Sequence, residues 1–229
     1  MKIAFISDIH GNLPALEAVK KDILQRGVDQ IVNLGDSLSG PLLPRETAQF
    51  IMAEGWYSLA GNHERQILAE DGSPRGASDA YAYEQLTTIE LDWIRSLTHC
   101  HQLSDEILIC HGTPRSDVAD FLETIEGSAM RIARPNEINE RIGGETAPII
   151  VCGHSHVPRM MKRHAGQSNE QLLFNPGSVG LQAYASNEPH YYAIENGSPD
   201  ARYAILERRN GLWQVDFHAV AYDFESMAQ

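Results

Sequence analysis

The sequence predicts an α/β protein in which two packed β-sheets are flanked by helices. Short β-branched or aliphatic runs recur through its 229 residues, helix-like segments alternate with them in the first half, and strand-like runs dominate the C-terminal part. This order is typical of sheets that pack against each other on one face and are covered by helices on the other. The predicted strands cover residues 2–7, 30–34, 56–60, 106–110, 148–152, 172–174, 203–206 and 212–220.

Helical periodicity fills the gaps between the first strands. From Leu13 to Arg26, apolar residues recur near the helical period, with Asn12 as a candidate N-cap and Gly27 at the end. Residues 44–54 and 78–97 are predicted to be helical for similar reasons.

Two mostly polar stretches, around residues 65–98 and 115–147, each begin just after a block of polar residues and have a helical pattern. We expect them to be helical insertions in a single domain that spans residues 1–229. Insertions at these places could form a lid or a wall of a substrate site.

The composition excludes several classes of protein. Eighteen Lys and Arg residues stand against 31 Asp and Glu residues, and the net charge of −13 disfavours a surface that binds long nucleic acids or anionic membranes. The first apolar run is too short for a signal peptide or a membrane span. Three cysteines without a C-x-x-C pair predict neither a disulfide framework nor a thiolate metal site, so we expect a cytoplasmic protein.

Five blocks of ligand-type residues and glycine follow predicted strands. In an extended chain, residues two apart point to the same side, so Asp8 is expected to pair with His10, and His154 with His156. Glycines beside them allow tight turns and close approach of the backbone. The blocks are D-I-H-G-N at 8–12, G-D at 35–36, G-N-H-E at 61–64, H-G at 111–112 and G-H-S-H at 153–156.

These blocks would bring seven potential metal ligands to one place, and His63 is not among them. Seven are too many for one tetrahedral ion with an open position, but they suit two divalent ions that share a carboxylate. With two carboxylates and one bridging hydroxide, such a centre would carry a net charge of about +1 and would attract phosphate. The mixed nitrogen and oxygen donors suit manganese, iron, nickel, cobalt or zinc, of which we expect manganese. The donors are Asp8, His10, Asp36, Asn62, His111, His154 and His156.

In this order, the five blocks resemble the calcineurin-like metallophosphoesterase superfamily over residues 1 to about 206. Residues 174–180 and 201–206 are similar to its small bacterial and archaeal phosphodiesterase branch. The resemblance implies a four-layer α/β/β/α sandwich with the site at the strand ends. Glu64 departs from the more frequent G-N-H-D form of the third block, and this departure affects local hydrogen bonding only.

The resemblance also implies roles for the donors. Asp8, His10 and His156 would hold the first metal, and Asn62, His111 and His154 the second, with Asp36 bridging the two. His63 would face the phosphate and its leaving oxygen instead of binding metal. A positioned histidine of this kind can act as a general acid.

Candidate substrate-binding residues lie next to the blocks. Arg65 and Arg115 could clamp a substrate phosphate, although exposed arginines are common on any surface. Asn12 could bind substrate or simply cap a helix. The region of Tyr184, Tyr191 and Tyr192 could shape a base or aryl pocket, or could cover a core.

We therefore expect hydrolysis of a small phosphate ester, preferably a diester, by a hydroxide that bridges two divalent metals. Phosphomonoesterases, including protein serine/threonine phosphatases, and dinucleoside polyphosphate hydrolases are the alternatives among enzymes. The resemblance implies added arginines after the first blocks in those subfamilies, whereas here no arginine follows Asp36 until Arg45. A non-catalytic scaffold that binds proteins is the alternative of another class, and it is disfavoured because His63 and all the donors are present.

Overall fold

The computed structural model describes residues 1–69, 75–187 and 190–227, and within them it contains six helices and fourteen strands. The helices are α1 (Leu13–Arg26), α2 (Pro44–Glu54), α3 (Asn62–Ile67), α4 (Ala77–Gln85), α5 (Thr88–Arg95) and α6 (Pro135–Ile142). The strands are β1 (Lys2–Ile6), β2 (Gln30–Asn33), β3 (Tyr57–Ser58), β4 (Cys100–Gln102), β5 (Ile107–Cys110), β6 (Glu123–Glu126), β7 (Ala129–Ile132), β8 (Ile149–Val151), β9 (Arg159–Arg163), β10 (Gln171–Asn175), β11 (Ala183–Ser186), β12 (Tyr192–Glu195), β13 (Ala201–Arg209) and β14 (Leu212–Val220).

Two mixed sheets of five strands form the centre of the molecule. The first has the order β14-β13-β1-β2-β3, with β1, β2 and β3 parallel and β13 antiparallel to β1. The second has the order β4-β5-β8-β10-β9, with β5, β8 and β10 parallel. The pairs β6–β7 and β11–β12 are separate hairpins.

Alternation along the strands produces the layers. In β1, Phe5 points between the sheets, where its ring meets Phe174 of the second sheet edge-on at 5.5 Å. Its neighbour Ile6 points outward and packs with α1. On the outer face of the second sheet, Leu173 packs with Ile138 and its neighbours on α6. The predicted α/β/β/α sandwich is confirmed.

The sequence signals at its two ends predicted the bounds of α1 correctly. The helix begins after Asn12, whose side chain accepts a hydrogen bond from the N–H of Ala15, and it ends at Gly27 in the left-handed conformation with φ of 64°. The predicted helix over residues 44–54 is α2.

Two predictions of local structure were wrong in part. The helix predicted over residues 78–97 is two helices, because Thr87 and Glu90 form a capping box that starts α5. The insertion at 115–147 is not wholly helical, since β6 and β7 form a hairpin that turns at Gly127, with φ of 63°, before α6 begins. The short helix α3 and the strands β4, β9, β11 and β12 were not predicted. Residues 70–74 of the insertion at 65–98 lie outside the described residues.

Within the described ranges, no helix combines the length and the apolar character that crossing a membrane requires.

Candidate metal centre

The five blocks converge at the carboxyl ends of the parallel strands of both sheets. Asp8 follows β1 and Asp36 follows β2 in the first sheet, while His111 follows β5 and His154 follows β8 in the second. Carboxyl ends of neighbouring parallel strands form the usual ligand-binding edge of an α/β protein. Backbone hydrogen bonds join the loops, as the N–H of Asp8 donates to the carbonyl of Gly35 at 3.0 Å.

The backbone at these blocks is left-handed. Asp8, His10, Asp36, His154 and His156 have φ between 51° and 69°, and they are five of the seven non-glycine residues with positive φ among those described. Asp8 and His10 do lie together as predicted, but through left-handed turns and not through an extended chain, whereas His154 and His156 belong to different groups of ligand atoms, so that predicted pair was wrong. The strands end at Ile6 and Val151, and the turns beyond them aim the side chains at the cost of local strain, which is typical of functional sites.

Two buried clusters result, and in each one the offered ligand atoms all lie within 4.8 Å of one another. The first consists of Asp8, His10 and His156, with 3.2 Å between the Nε2 atoms of the two histidines. The second consists of Asp36, His111 and His154, with 3.0 Å between Oδ2 of Asp36 and Nε2 of His111. Donors that share one ion at bonds of about 2.1 Å lie about 3 Å apart, so both spacings suit a metal.

Hydrogen bonds set the tautomers of three of these histidines. Nδ1 of His10 donates to the carbonyl of Ser39 at 2.7 Å, and Nδ1 of His111 donates to that of Leu34 at 2.8 Å. Nδ1 of His156 lies 2.7 Å from the carbonyl of Leu181. Because a carbonyl can only accept, each Nδ1 carries a proton, and Nε2 of each ring is the nitrogen directed into its cluster.

Several buried donor atoms in or beside the clusters have no hydrogen-bond partner. They are both carboxylate oxygens of Asp8, Oδ1 of Asn62 and Nδ1 of His154, and Asp8 is completely buried. Oδ1 of Asp8 lies 3.4 Å from Nε2 of His156, its neighbour in the first cluster. A buried carboxylate without hydrogen bonds is costly, and a divalent ion would compensate for that cost. The residues present therefore fit two divalent metal ions.

The pKa shifts differ between the histidines: burial opposes the charged form of His111, but the carboxylate of Asp36 outweighs it and raises the pKa of His111 to about 10, whereas that of His10 is lowered. Burial and the nearby charges of His156 and His63 lower the pKa of His10 to about 4, so its ring is neutral at pH 7, as metal binding requires. Burial also opposes the charged form of Asp36, but His111 and His63 outweigh it and hold the pKa of this carboxyl well below its usual value. Asp36 is thus a fixed negative charge beneath the cavity.

Close backbone approach at Gly61 places α3 against Asp36. A Cβ atom at Gly61 would lie 2.1 Å from Oδ1 of Asp36, so only glycine fits there. The N–H of His63, in the first turn of α3, donates to the same oxygen at 2.9 Å.

His63 is oriented by a residue that motif analysis missed. Its Nδ1 lies 2.8 Å from Oδ1 of Asp79, which is 4% exposed in the first turn of α4. Burial lowers the pKa of His63, but the carboxylates of Asp36 and Asp79 outweigh it and raise the pKa to about 9. Asp79 belongs to none of the five blocks, and its only sequence signal is that of an acidic residue at a helix start.

Glu64 holds the loops of the site together. Its buried carboxylate accepts hydrogen bonds from the N–H groups of Asp36, Ser37 and Gly61 at 2.8, 2.8 and 2.7 Å. The departure from the G-N-H-D form therefore concerns a residue that ties the loop after β2 to the start of α3.

A cavity of about 570 Å³ opens above the clusters. Its wall includes five of the metal-donor residues and His63, and no Lys or Arg is among the described residues of the wall. The lining residues are His10, Asp36, Asn62, His63, His154 and His156 together with Ser39, Gly40, Pro41, Leu42, Ser78, Gly180, Leu181, Tyr184, Ala185, Ser186 and Tyr192.

The three candidate substrate residues do not line this cavity. Arg65 is paired with Asp117 through two hydrogen bonds of 2.7 and 3.0 Å. Arg115 donates to the carbonyl of Gly143. The amide group of Asn12 caps α1 and donates to the carbonyl of Gly180 and to the hydroxyl of Tyr222. All three side chains are thus engaged within the protein.

Comparison with known proteins agrees with this geometry. The sequence profile of the calcineurin-like phosphoesterase superfamily domain matches residues 1–197. The chain is 28% identical over 207 residues to the phosphodiesterase YfcE of Escherichia coli K12, with 86% of this chain and 88% of YfcE covered. It is 27% identical over 244 residues to the uncharacterized protein MJ0912 of Methanocaldococcus jannaschii, with 97% of this chain and 88% of that protein covered.

Among solved structures, the chain is similar to a metallophosphoesterase from Sphaerobacter thermophilus. The TM-score is 0.75 at 26% sequence identity, and the match covers 99% of this chain and 91% of that one.

Proposed function

This chain belongs to the calcineurin-like phosphoesterase superfamily, and on that premise we propose that it is a hydrolase of phosphodiesters that depends on two divalent metal ions. The observation that carries the proposal is the set of buried ligand atoms of Asp8, Asn62 and His154 that have no hydrogen-bond partner, gathered at the ends of parallel strands. Structural caps and core histidines would have partners there.

The proposed first metal site is Asp8, His10 and His156, and the second is Asn62, His111 and His154. Asp36 is the shared ligand, because it lies in the second cluster and also lines the cavity beside His10. Divalent ions bound there supply Lewis acidity and lower the pKa of coordinated water from 15.7 to about 7. We propose that the ion is manganese. We also propose that residues 1–229 form a single domain and that the protein is cytoplasmic.

His63 is the proposed general acid. Its Nδ1 is held by Asp79, so its Nε2 is the atom that donates a proton to the departing ester oxygen. In the metal-free protein, burial lowers the pKa of this imidazole, but the carboxylates of Asp36 and Asp79 outweigh it and raise the pKa to about 9. Asp79 stabilises the protonated ring from the side away from the proposed metal ligands.

Preference for a diester follows from the charges in the cavity wall. A phosphomonoester carries a charge of about −1.5 to −2 at pH 7, whereas a diester carries a single negative charge and a second organic group. The described residues of the wall include no Lys or Arg to match the extra charge, and they offer apolar and aromatic surface to the second group.

A chelator-treated preparation tests the proposal. It should be inactive, and added Mn²⁺ should restore release of nitrophenol from bis(p-nitrophenyl) phosphate faster than from p-nitrophenyl phosphate. A clearly faster monoester would contradict the diester preference. If neither ester is hydrolysed with any divalent ion, the result contradicts the proposal and favours the alternative of a non-catalytic scaffold.

A further inference from the structure

The hairpin β11–β12 presents two aromatic rings on one face. Tyr184 is paired with Ile194, and Ser186 with Tyr192, so these four side chains share a face of the hairpin. Tyr184 and Tyr192 line the cavity above the metal ligands. Their neighbour Tyr191 points away, is 63% exposed and does not line it.

Tyr184 is held in place from two sides. Its ring centroid lies 4.8 Å from that of His156, a proposed metal ligand, and 6.2 Å from that of Tyr192. Both distances are within the range of favourable ring contacts. A phosphate bound at His156 would therefore carry its ester group past the ring of Tyr184.

The surroundings of this ring do not suit a second anion. No Lys or Arg is among the described residues of the cavity wall, and Leu42 and Leu181 add apolar surface. Burial and the nearby carboxyl of Asp120 raise the pKa of the Tyr184 hydroxyl, so this hydroxyl stays neutral at pH 7. An uncharged flat group would fit beside Tyr184, whereas a further phosphate would find no Lys or Arg to pair with among the described residues of the wall.

We infer that Tyr184, supported by Tyr192, is the part of the cavity wall that determines specificity. It binds an aromatic ring of the phosphodiester substrate, and this ring is a nucleobase or an aryl group. This inference rests on the proposed function and narrows its substrate class. Stacking of a base on an aromatic side chain is tolerant of sequence and needs only the face of the ring.

Three diesters with one leaving group test the inference. Thymidine 5′-(p-nitrophenyl phosphate), bis(p-nitrophenyl) phosphate and ethyl p-nitrophenyl phosphate differ only in the second ester group. With Mn²⁺, Tyr184→Ala should lower kcat/KM about 10-fold for esters whose second group is a ring and less than about 2-fold for the ethyl ester. Tyr184→Phe should keep the wild-type preference. Tyr191→Ala is the matched control from the same hairpin, and it should change nothing.

Binding is measured in parallel, by calorimetry of Mn²⁺-loaded protein with thymidine 5′-monophosphate and with ethyl phosphate. Tyr184→Ala should weaken binding of the nucleotide about 10-fold and leave ethyl phosphate unchanged. A loss confined to thymidine compounds would identify a nucleobase as the ring, and a loss shared by the aryl ester would identify aromatic rings in general.

Equal losses for all three esters together with unchanged nucleotide binding would overturn the inference. If wild-type protein hydrolyses none of the esters, the proposed function fails, and nucleotide binding still reports separately on Tyr184.

Discussion

Nδ1 of His63 lies 2.8 Å from Oδ1 of Asp79, a residue of the next helix along the chain. The carboxylate fixes the rotation of the ring and stabilises its protonated form, while the ring itself lines the cavity. Because Asp79 does not line that cavity, it acts on the substrate only through His63. Asp79 is thus a positioning residue.

Replacing Asp79 should lower the pKa of His63. In metal-free protein followed by NMR, His63 should titrate near pH 9 in the wild type, and in Asp79→Asn nearer its ordinary value of about 6.5. The pKa of His63 is higher in the folded protein than in the unfolded chain, so protonated His63 stabilises the fold. This stabilisation is fully present below about pH 6.5 and is lost as the pH rises through 9. Asp105→Asn, at an exposed position, is the control. An unchanged titration in Asp79→Asn would refute the pairing.

Measurements of metal content and turnover should distinguish the role of Asp36 from that of His63. Asp36→Ala removes the proposed shared ligand, so both metals and all activity should be lost when metal is measured by mass spectrometry. His63→Ala should keep near-normal metal and lose about 10²–10⁴-fold in turnover, the usual contribution of a general acid. Equal metal loss in the two variants would contradict the role of His63.

Added Mn²⁺ should raise the melting temperature of chelator-treated protein. An ion at 100 times its dissociation constant contributes about 2.7 kcal/mol to the stability of the folded state, which corresponds to about 5–10 °C for a chain of this length. The reason is that the buried carboxylates of Asp8 and Asp36 gain a cation. Differential scanning fluorimetry measures the shift, and it should vanish in Asp36→Ala. The same shift in that variant would place the stabilising ion elsewhere.

Loss of the Glu64 carboxylate should destabilise the protein. Glu64→Gln replaces one carboxylate oxygen by an NH2 group, which cannot accept, so one or two of the three backbone N–H groups lose their acceptor, and we expect a loss of about 2 kcal/mol or more in urea unfolding. Glu84→Gln, an exposed change, should be neutral. Equal stability of the two variants would show that the loops of Asp36 and Gly61 hold together without Glu64.

Much of the fold follows from local signals. The cap at Asn12 and the left-handed Gly27 bound α1 as predicted, because capping depends on neighbours within one turn. The signal that separates α4 from α5 at Thr87 was also local, but the helical pattern that runs through residues 78–97 concealed the capping box. The hairpin of β6 and β7 was missed because its strands are short and half exposed, with little alternation to detect.

The sequence by itself determined which donors stand at the strand ends, since each block follows its strand directly and the order of the blocks is read from the chain. Only the tertiary structure decided how those donors are aimed and what supports them. The left-handed turns at Asp8 and His154 are strained conformations that neighbouring loops impose. Asp79 reaches His63, and Tyr184 reaches His156, through packing of separate elements, and no pattern within a single segment encodes such contacts.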